Sequence, residues 1–248
     1  MPLPDSLLAG ADFAAFTADE CTGLTRQVLA LRDAWLARVP PTDAGRPGMW
    51  TLGQATYLDG PHGHGQAAAS TNRLLLAHFG GTYRRLCGTL AGLLGQPVLT
   101  APDAFALPGF HIFQASHPGP VGLRHGGSIH VDRQHLQAGF GFACDEVFSF
   151  TLPLCLPRGG GGLNFWPAAA PADVGQTLGW FDELAAPATR WLEAHRRHHA
   201  YQVGRLVLHR CTTPHQIAHL VPLSPSDLRI TLQGHGVRTR GGAFLVYF

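Results

Sequence analysis

The segment Ser128-Ile129-His130-Val131-Asp132 carries the densest chemistry in the chain. In an extended strand, side chains two apart point to the same face, so His130 and Asp132 converge on one point. An imidazole nitrogen and a carboxylate oxygen placed this way are two ligands of a 2-His-1-carboxylate site, which holds Fe(II) and leaves other positions open. Residues 204–237 offer the missing histidine. An apolar run at 206–208 leads through Cys211-Thr212-Thr213-Pro214, a turn composition, into an expected strand over 215–221 that opens at His215. A further turn at 224–227 precedes an expected strand over 229–233, whose alternation puts Arg229 and Thr231 on one face. Strands on either side of a turn lie antiparallel, an arrangement that would bring a histidine and an arginine into one pocket. The guanidinium fork of Arg229 can take a carboxylate bidentately, and the Thr231 hydroxyl can add a donor.

His215 and His219 stand 14 and 10 positions before Arg229, and both fall on one strand face, so alternation does not choose between them. His209 is a weaker candidate, better read as a core or strand-edge histidine. The remaining members of a set of 15 histidines have plainer readings. His62 and His64, in Pro-His-Gly-His-Gly, fit a solvated loop. The patch His195, Arg196, Arg197, His198 and His199 fits the C-terminal end of a helix, where the dipole favours positive charge. His111, His125, His135, Arg124 and Arg133 flank the H-x-D segment and are candidates to line a pocket through sequence proximity alone. His235 is expected at a sheet edge, and Phe165 and Trp166 are expected in the core. The five cysteines, Cys21, Cys87, Cys144, Cys155 and Cys211, are widely spaced with no C-x-x-C pair. That pattern opposes a disulfide framework or a thiolate zinc site and favours buried small apolar residues.

Composition narrows the function classes. All 18 basic residues are arginine, so lysine Schiff-base chemistry and a P-loop lysine are excluded. A formal net charge of +2 without a long basic run points to a small-molecule or peptide partner, not to nucleic acid. The opening Met-Pro-Leu-Pro-Asp lacks the basic start of a secretory signal, and no apolar run reaches the length of a membrane span, so a soluble cytoplasmic protein is expected. The arginine, alanine and glycine bias suggests a bacterial source. With 45% hydrophobic residues in 248, disorder is excluded and a sizeable core is affordable.

The elements that must position these residues follow from periodicity. Residues 14–39 read as an amphipathic helix capped by Thr17 and ended by Pro40 and Pro41, and residues 49–58 as a first strand. Residues 71–94 read as a second helix, with Gly95 as its stop. From residue 101 the texture turns to short apolar runs separated by Gly and Pro, at 110–114, 128–131, 147–154, 163–166, 205–209, 215–221, 229–233 and 243–248. A partly helical insertion at 173–199, with helices over 179–186 and 189–199, interrupts them. The run at 243–248 presents an edge that either a partner or its own sheet would cover. One domain is expected over 1–248: a helical buttress and first strand over 1–100, then a mainly β core over 101–248.

In this order the motifs resemble the Fe(II)- and 2-oxoglutarate-dependent oxygenases. His130-x-Asp132, a glycine-rich stretch Gly159-Gly160-Gly161-Gly162-Leu163-Asn164-Phe165-Trp166, a distal histidine and Arg229-x-Thr231 stand in the family's sequence, over roughly residues 105–237. The resemblance implies an α+β, mainly β fold, a double-stranded β-helix (jelly roll) of the cupin type, with the two N-terminal helices buttressing one sheet. It implies Fe(II) held by His130, Asp132 and a distal histidine, and favours His215 because it follows a strand and turn as the family's ligand does. It further implies 2-oxoglutarate held by Arg229 and Thr231, with O2 as co-substrate. Retention of Asp132, which the family's halogenating branch lacks, implies hydroxylation or another C–H oxidation. Two alternatives stay open on the residues alone: a cupin-type metal enzyme that ignores 2-oxoglutarate, and a β-barrel binding protein without catalysis.

Overall fold

The computed structural model describes residues 9–41, 48–60, 66–114, 126–132, 147–159, 161–166, 186–218 and 227–248. The chain opens with β1 (Ala9–Ala14), α1 (Ala18–Ala30), a 3-10 turn (Arg32–Ala34), β2 (Leu36–Val39), β3 (Gly48–Leu52), α2 (Thr56–Asp59) and α3 (Gln66–Leu94). There follow β4 (Val98–Leu99), β5 (Gly109–Gln114), β6 (Val147–Cys155), β7 (Leu163–Phe165), α4 (Ala186–His195), β8 (Arg197–His199), β9 (Arg205–Arg210), β10 (His215–Ile217), β11 (Leu228–Arg238) and β12 (Phe244–Tyr247). Among the described residues the strands form a nine-stranded major sheet, ordered β1-β9-β6-β11-β5-β3-β2, and a three-stranded minor sheet, β10-β7-β8. Strand β12 pairs antiparallel with the C-terminal half of β11 and parallel with β4, so the run at 243–248 is covered by its own sheet. This is the expected mainly antiparallel jelly-roll architecture, with α1 and α3 packed on one face of the major sheet. No helix among the described residues is long and apolar enough to cross a membrane.

Strict alternation gives the major sheet two unlike faces. Leu52, Phe110, Ile112, Phe148, Phe150, Leu152, Leu206, Leu208, Ile230 and Leu232 point one way, into a core shared with Cys21, Leu24 and Val28 of α1 and Leu75, Phe79, Tyr83, Leu86 and Leu90 of α3. Each such side chain contributes about 1.5–3 kcal/mol when fully buried, so this face fixes the register of every strand it touches. The intervening residues are mostly polar and also buried: Thr51, His111, Ser149, Thr151, His209, Arg229, Thr231 and His235. A sheet with one oily and one polar buried face holds its register by the first and leaves the second for chemistry.

Several expected boundaries move. The helix over 14–39 stops at Ala30: Leu31 leaves helical geometry, the Trp35 indole donates to the Val28 carbonyl at 3.0 Å, and residues 36–39 pair with β3. Thr17 does cap α1, in a reciprocal box with Glu20. The strand expected over 49–58 ends at Leu52, because Gly53 takes φ 122°, a conformation for which glycine is suited, and α2 follows. Helix α3 starts earlier than expected and kinks at Phe79, whose ring packs 4.6 Å from that of Phe110. Gly95, at φ 64°, ends it as expected. Residues 197–199 are a strand against β7, not the end of a helix. The first hundred residues supply four strands to the major sheet, β1, β2, β3 and β4, where one was expected. The helix expected over 179–186 lies almost wholly outside the described residues.

Candidate active site

The H-x-D segment is held by a single bridge, not by the regular strand expected over 128–131. His130 N–H donates to the His215 carbonyl at 3.0 Å, and His215 N–H returns a bond to the His130 carbonyl at 2.9 Å. Asp132 N–H donates to the Cys211 carbonyl at 2.8 Å. These three bonds tie residues 79 to 85 positions apart in sequence into one short ladder beside β10. The expected side-by-side pairing of 206–208, 215–221 and 229–233 does not occur: β9 and β11 belong to the major sheet, and β10 pairs with β7 in the minor one. His215 thus sits on the minor sheet and Arg229 on the major one.

His130, Asp132 and His215 each offer one ligand atom, all within 4.8 Å of one another. His130 Nε2 lies 3.8 Å from Asp132 Oδ1, and His215 Nε2 lies 3.6 Å from Asp132 Oδ2. Both imidazoles are oriented by main-chain carbonyls: His130 Nδ1 sits 2.9 Å from the Ser128 carbonyl and His215 Nδ1 2.9 Å from the Thr213 carbonyl. Since a carbonyl only accepts, each Nδ1 is the donor there, which leaves each Nε2 turned to the cluster. Asp132 and His215 are 6% exposed at the side chain and His130 is 41% exposed, so the cluster opens on the His130 side. Burial depresses the His215 imidazole well below its usual range, with Asp132 opposing. Burial acts to raise the Asp132 carboxyl, but His215, His235, His130 and His209 around it outweigh that and hold it ionised. A neutral imidazole with an ionised carboxylate is the protonation state a divalent metal requires.

Arg229 is 1% exposed, with its guanidinium 5.2 Å from the Phe113 ring and 5.6 Å from the Tyr201 ring. Tyr201 hydrogen-bonds both Arg229 and Thr151. Burial lowers the Arg229 pKa from its ordinary value, against the pull of Tyr201. Its Nε and Nη1 have no hydrogen-bond partner among the described residues. An arginine buried with two donors of its fork unmatched is costly unless an anion completes it. Thr231, fully buried on the same face, donates its hydroxyl to Gln233 Oε1 at 3.2 Å. Gln233 Nε2 lies 3.3 Å from His111 Nε2, which is also 2.5 Å from the Tyr57 hydroxyl. Burial keeps the His111 imidazole neutral, well below its usual range.

The structure thus brings His130, Asp132 and His215 together and sets Arg229 and Thr231 in one row on β11. His219, His62, His64, His125, His135, Arg124, Arg133 and Cys144 lie outside the described residues, as do Gly160 and the turn at 224–226. His209 is buried with its ring 4.4 Å from that of His215, but its Nδ1 faces the Arg210 carbonyl and it supplies no atom to the cluster. His111 is buried on β5, the strand beside β11, directly paired with Thr231. His235 is not at a sheet edge: it is buried in β11, paired with Ser149 of β6 on one side and Tyr247 of β12 on the other. His198 hydrogen-bonds Asn164, and His199 lies 3.4 Å from Asp12, so the basic patch is partly built into the fold. Trp166 is fully buried, as expected, and donates to the Leu192 carbonyl. Cys21 and Cys211 are buried, while Cys87 and Cys155 are half-buried, and these four are free thiols.

No family model matches the chain, and no curated protein matches it in sequence. Solved structures do match. The non-heme alpha-ketoglutarate-dependent carbocyclase SnoK of nogalamycin biosynthesis superposes with a TM-score of 0.51 at 14% identity, over 94% of this chain and 79% of that one. The epimerase SnoN, solved in complex with Fe3+, alpha-ketoglutarate and nogalamycin RO, superposes with a TM-score of 0.50 at 15% identity, over 95% of this chain and 84% of that one. At such identities the likeness establishes a shared fold: the chain has the double-stranded β-helix on which those enzymes are built.

Proposed function

We propose that this chain is an Fe(II)- and 2-oxoglutarate-dependent oxygenase that oxidises a C–H bond, by hydroxylation in the first instance, of a small molecule, amino acid or peptidyl group. The observation that carries this reading is the presence of two incomplete sites, at Asp132 and at Arg229, close enough that both act electrostatically on His111, Tyr57 and Tyr201. One is a cluster of two imidazole Nε2 atoms and an ionised carboxylate, and the other is a buried arginine fork with unmatched donors. A divalent metal fits the first and a carboxylate the second, and 2-oxoglutarate is a molecule that answers both.

His130, Asp132 and His215 would hold the iron, and Arg229, with Thr231 beside it, would hold the far carboxylate of 2-oxoglutarate. When bound, iron with 2-oxoglutarate and O2 supplies the oxidising power, converting 2-oxoglutarate to succinate and CO2. The protein's own part is arrangement. The carbonyls of Ser128 and Thr213 fix the two imidazole tautomers. Tyr201, Phe113 and the surrounding strands keep water from Arg229, which strengthens its attraction for a carboxylate. The exposed flank of His130 is where a substrate reaches the centre. A small-molecule substrate is supported by the two similar enzymes, both from nogalamycin biosynthesis.

The test is succinate formation from 2-oxoglutarate in air with added Fe(II). The expected result is turnover that needs iron and oxygen and falls at least a hundredfold in Asp132→Ala, about 2.7 kcal/mol in barrier at tenfold per 1.36 kcal/mol. Turnover unchanged in that variant contradicts the proposal.

A further inference from the structure

Asp132, Cys211 and His235 form a second group whose ligand atoms lie within 4.8 Å of one another, sharing Asp132 with the first and fully buried. Its centre is filled. The Ser149 hydroxyl donates to Asp132 Oδ2 and lies 3.0 Å from His235 Nδ1 and 3.3 Å from Cys211 Sγ. A hydroxyl that reaches all three atoms stands where an ion would have to sit, so these residues serve Asp132 and not a second metal.

The placement of Ser149 and His235 is set by the sheet. His209, Ser149, His235 and Tyr247 are successive cross-strand partners on β9, β6, β11 and β12, forming a transverse row on the polar face. The row runs beneath the candidate metal centre, with the His209 ring against His215 and Ser149 against Asp132. Because Ser149 gives its proton to Asp132, its oxygen is left to accept, and His235 Nδ1–H is a donor at the right distance. Gly234 and Gly236 flank His235; a Cβ on Gly234 would lie 2.5 Å from the Tyr247 carbonyl oxygen and one on Gly236 2.1 Å from the Phe148 ring, so β11 is pressed close on its other face.

Resting on the oxygenase reading, we infer that Ser149 and His235 are positioning residues that fix the Asp132 carboxylate through Oδ2 and so set its orientation toward the metal. Carboxylate ligands held by such outer hydrogen bonds bind metal more tightly, and removing the outer partner costs about 10–100-fold in affinity.

The experiment measures Fe(II) affinity anaerobically by competition with a chromophoric chelator, for wild type, Ser149→Ala, Ser149→Thr, His235→Leu and His235→Asn, with melting temperatures of the metal-free proteins alongside. Expected is a loss of about tenfold or more in Ser149→Ala and His235→Leu. Recovery is expected in Ser149→Thr, which keeps the hydroxyl, and in His235→Asn, whose amide replaces the Nδ1 donor. Iron affinity in folded Ser149→Ala and His235→Leu equal to wild type overturns the inference alone. So does a loss that tracks melting temperature equally in the donor-keeping and donor-lacking variants. A folded wild type that takes no iron overturns the oxygenase reading with it.

Discussion

At the scale of single residues, the arginine is the sharpest discriminator. The two histidines and the aspartate suit many metal enzymes, but an almost fully buried guanidinium with unmatched Nε and Nη1 asks for an anion. Arg229→Lys keeps the charge and loses the fork. It is expected to weaken 2-oxoglutarate binding to the metal-loaded protein at least tenfold, matching about 1.5–3 kcal/mol for a charge-assisted hydrogen bond, with Fe(II) affinity unchanged. Calorimetric titration of both ligands checks this; equal 2-oxoglutarate affinity would make Arg229 a structural residue and leave a cupin-type metal enzyme. His215, Arg229 and Thr231 stood out as candidates in the chain because their order and spacing resemble those of a known family. Ser149 and His235 were not, since no local motif links positions 149 and 235. The one available signal was alternation in Arg229-Ile230-Thr231-Leu232-Gln233-Gly234-His235, which runs polar on every second residue and continues past Gln233.

At the scale of elements, short strands are held where pairing, not propensity, decides. Strand β1 docks on β9, and Asp12 accepts from Arg205 Nε at 2.8 Å across that pair, with His199 also 3.4 Å away. The Arg205 hydrogen bond holds the Asp12 carboxyl below its ordinary value, with burial opposing. A carboxyl lowered on folding stabilises the fold above its unfolded pKa and loses that contribution as pH falls through the folded value. Asp12→Asn is therefore expected to melt below wild type at pH 7, with the gap closing as pH drops below about 4. A gap that stays constant with pH would show that the ion pair is not the source. The same dependence on partners explains the sequence misreadings. Residues 36–39 continue the helical spacing of α1 yet form a strand because β3 lies alongside, and 128–131 alternate like a strand yet make only one bridge. The strands from 109 to 114 and from 147 to 155 were plain in the chain because each alternates over enough residues for burial on the oily face to fix it.

At the scale of the molecule, the design is a division of labour between two faces of one sheet. The apolar face packs on α1 and α3 and supplies the rigidity, while the polar face carries Arg229 and Thr231 and the minor sheet carries His215 of the candidate metal cluster. Ligand atoms from residues 130, 132 and 215 meet because the His130–His215 bridge and the Asp132–Cys211 bond join segments far apart in the chain, so the site is a property of the tertiary fold. The most direct measurement is an anaerobic titration with Fe(II) followed by 2-oxoglutarate, recorded in the visible region. A metal-to-ligand charge-transfer band should appear only after both are present, be lost in His130→Ala and His215→Ala, and require far more 2-oxoglutarate in Arg229→Ala. Iron-loaded, folded wild type without such a band at saturating 2-oxoglutarate would contradict the account.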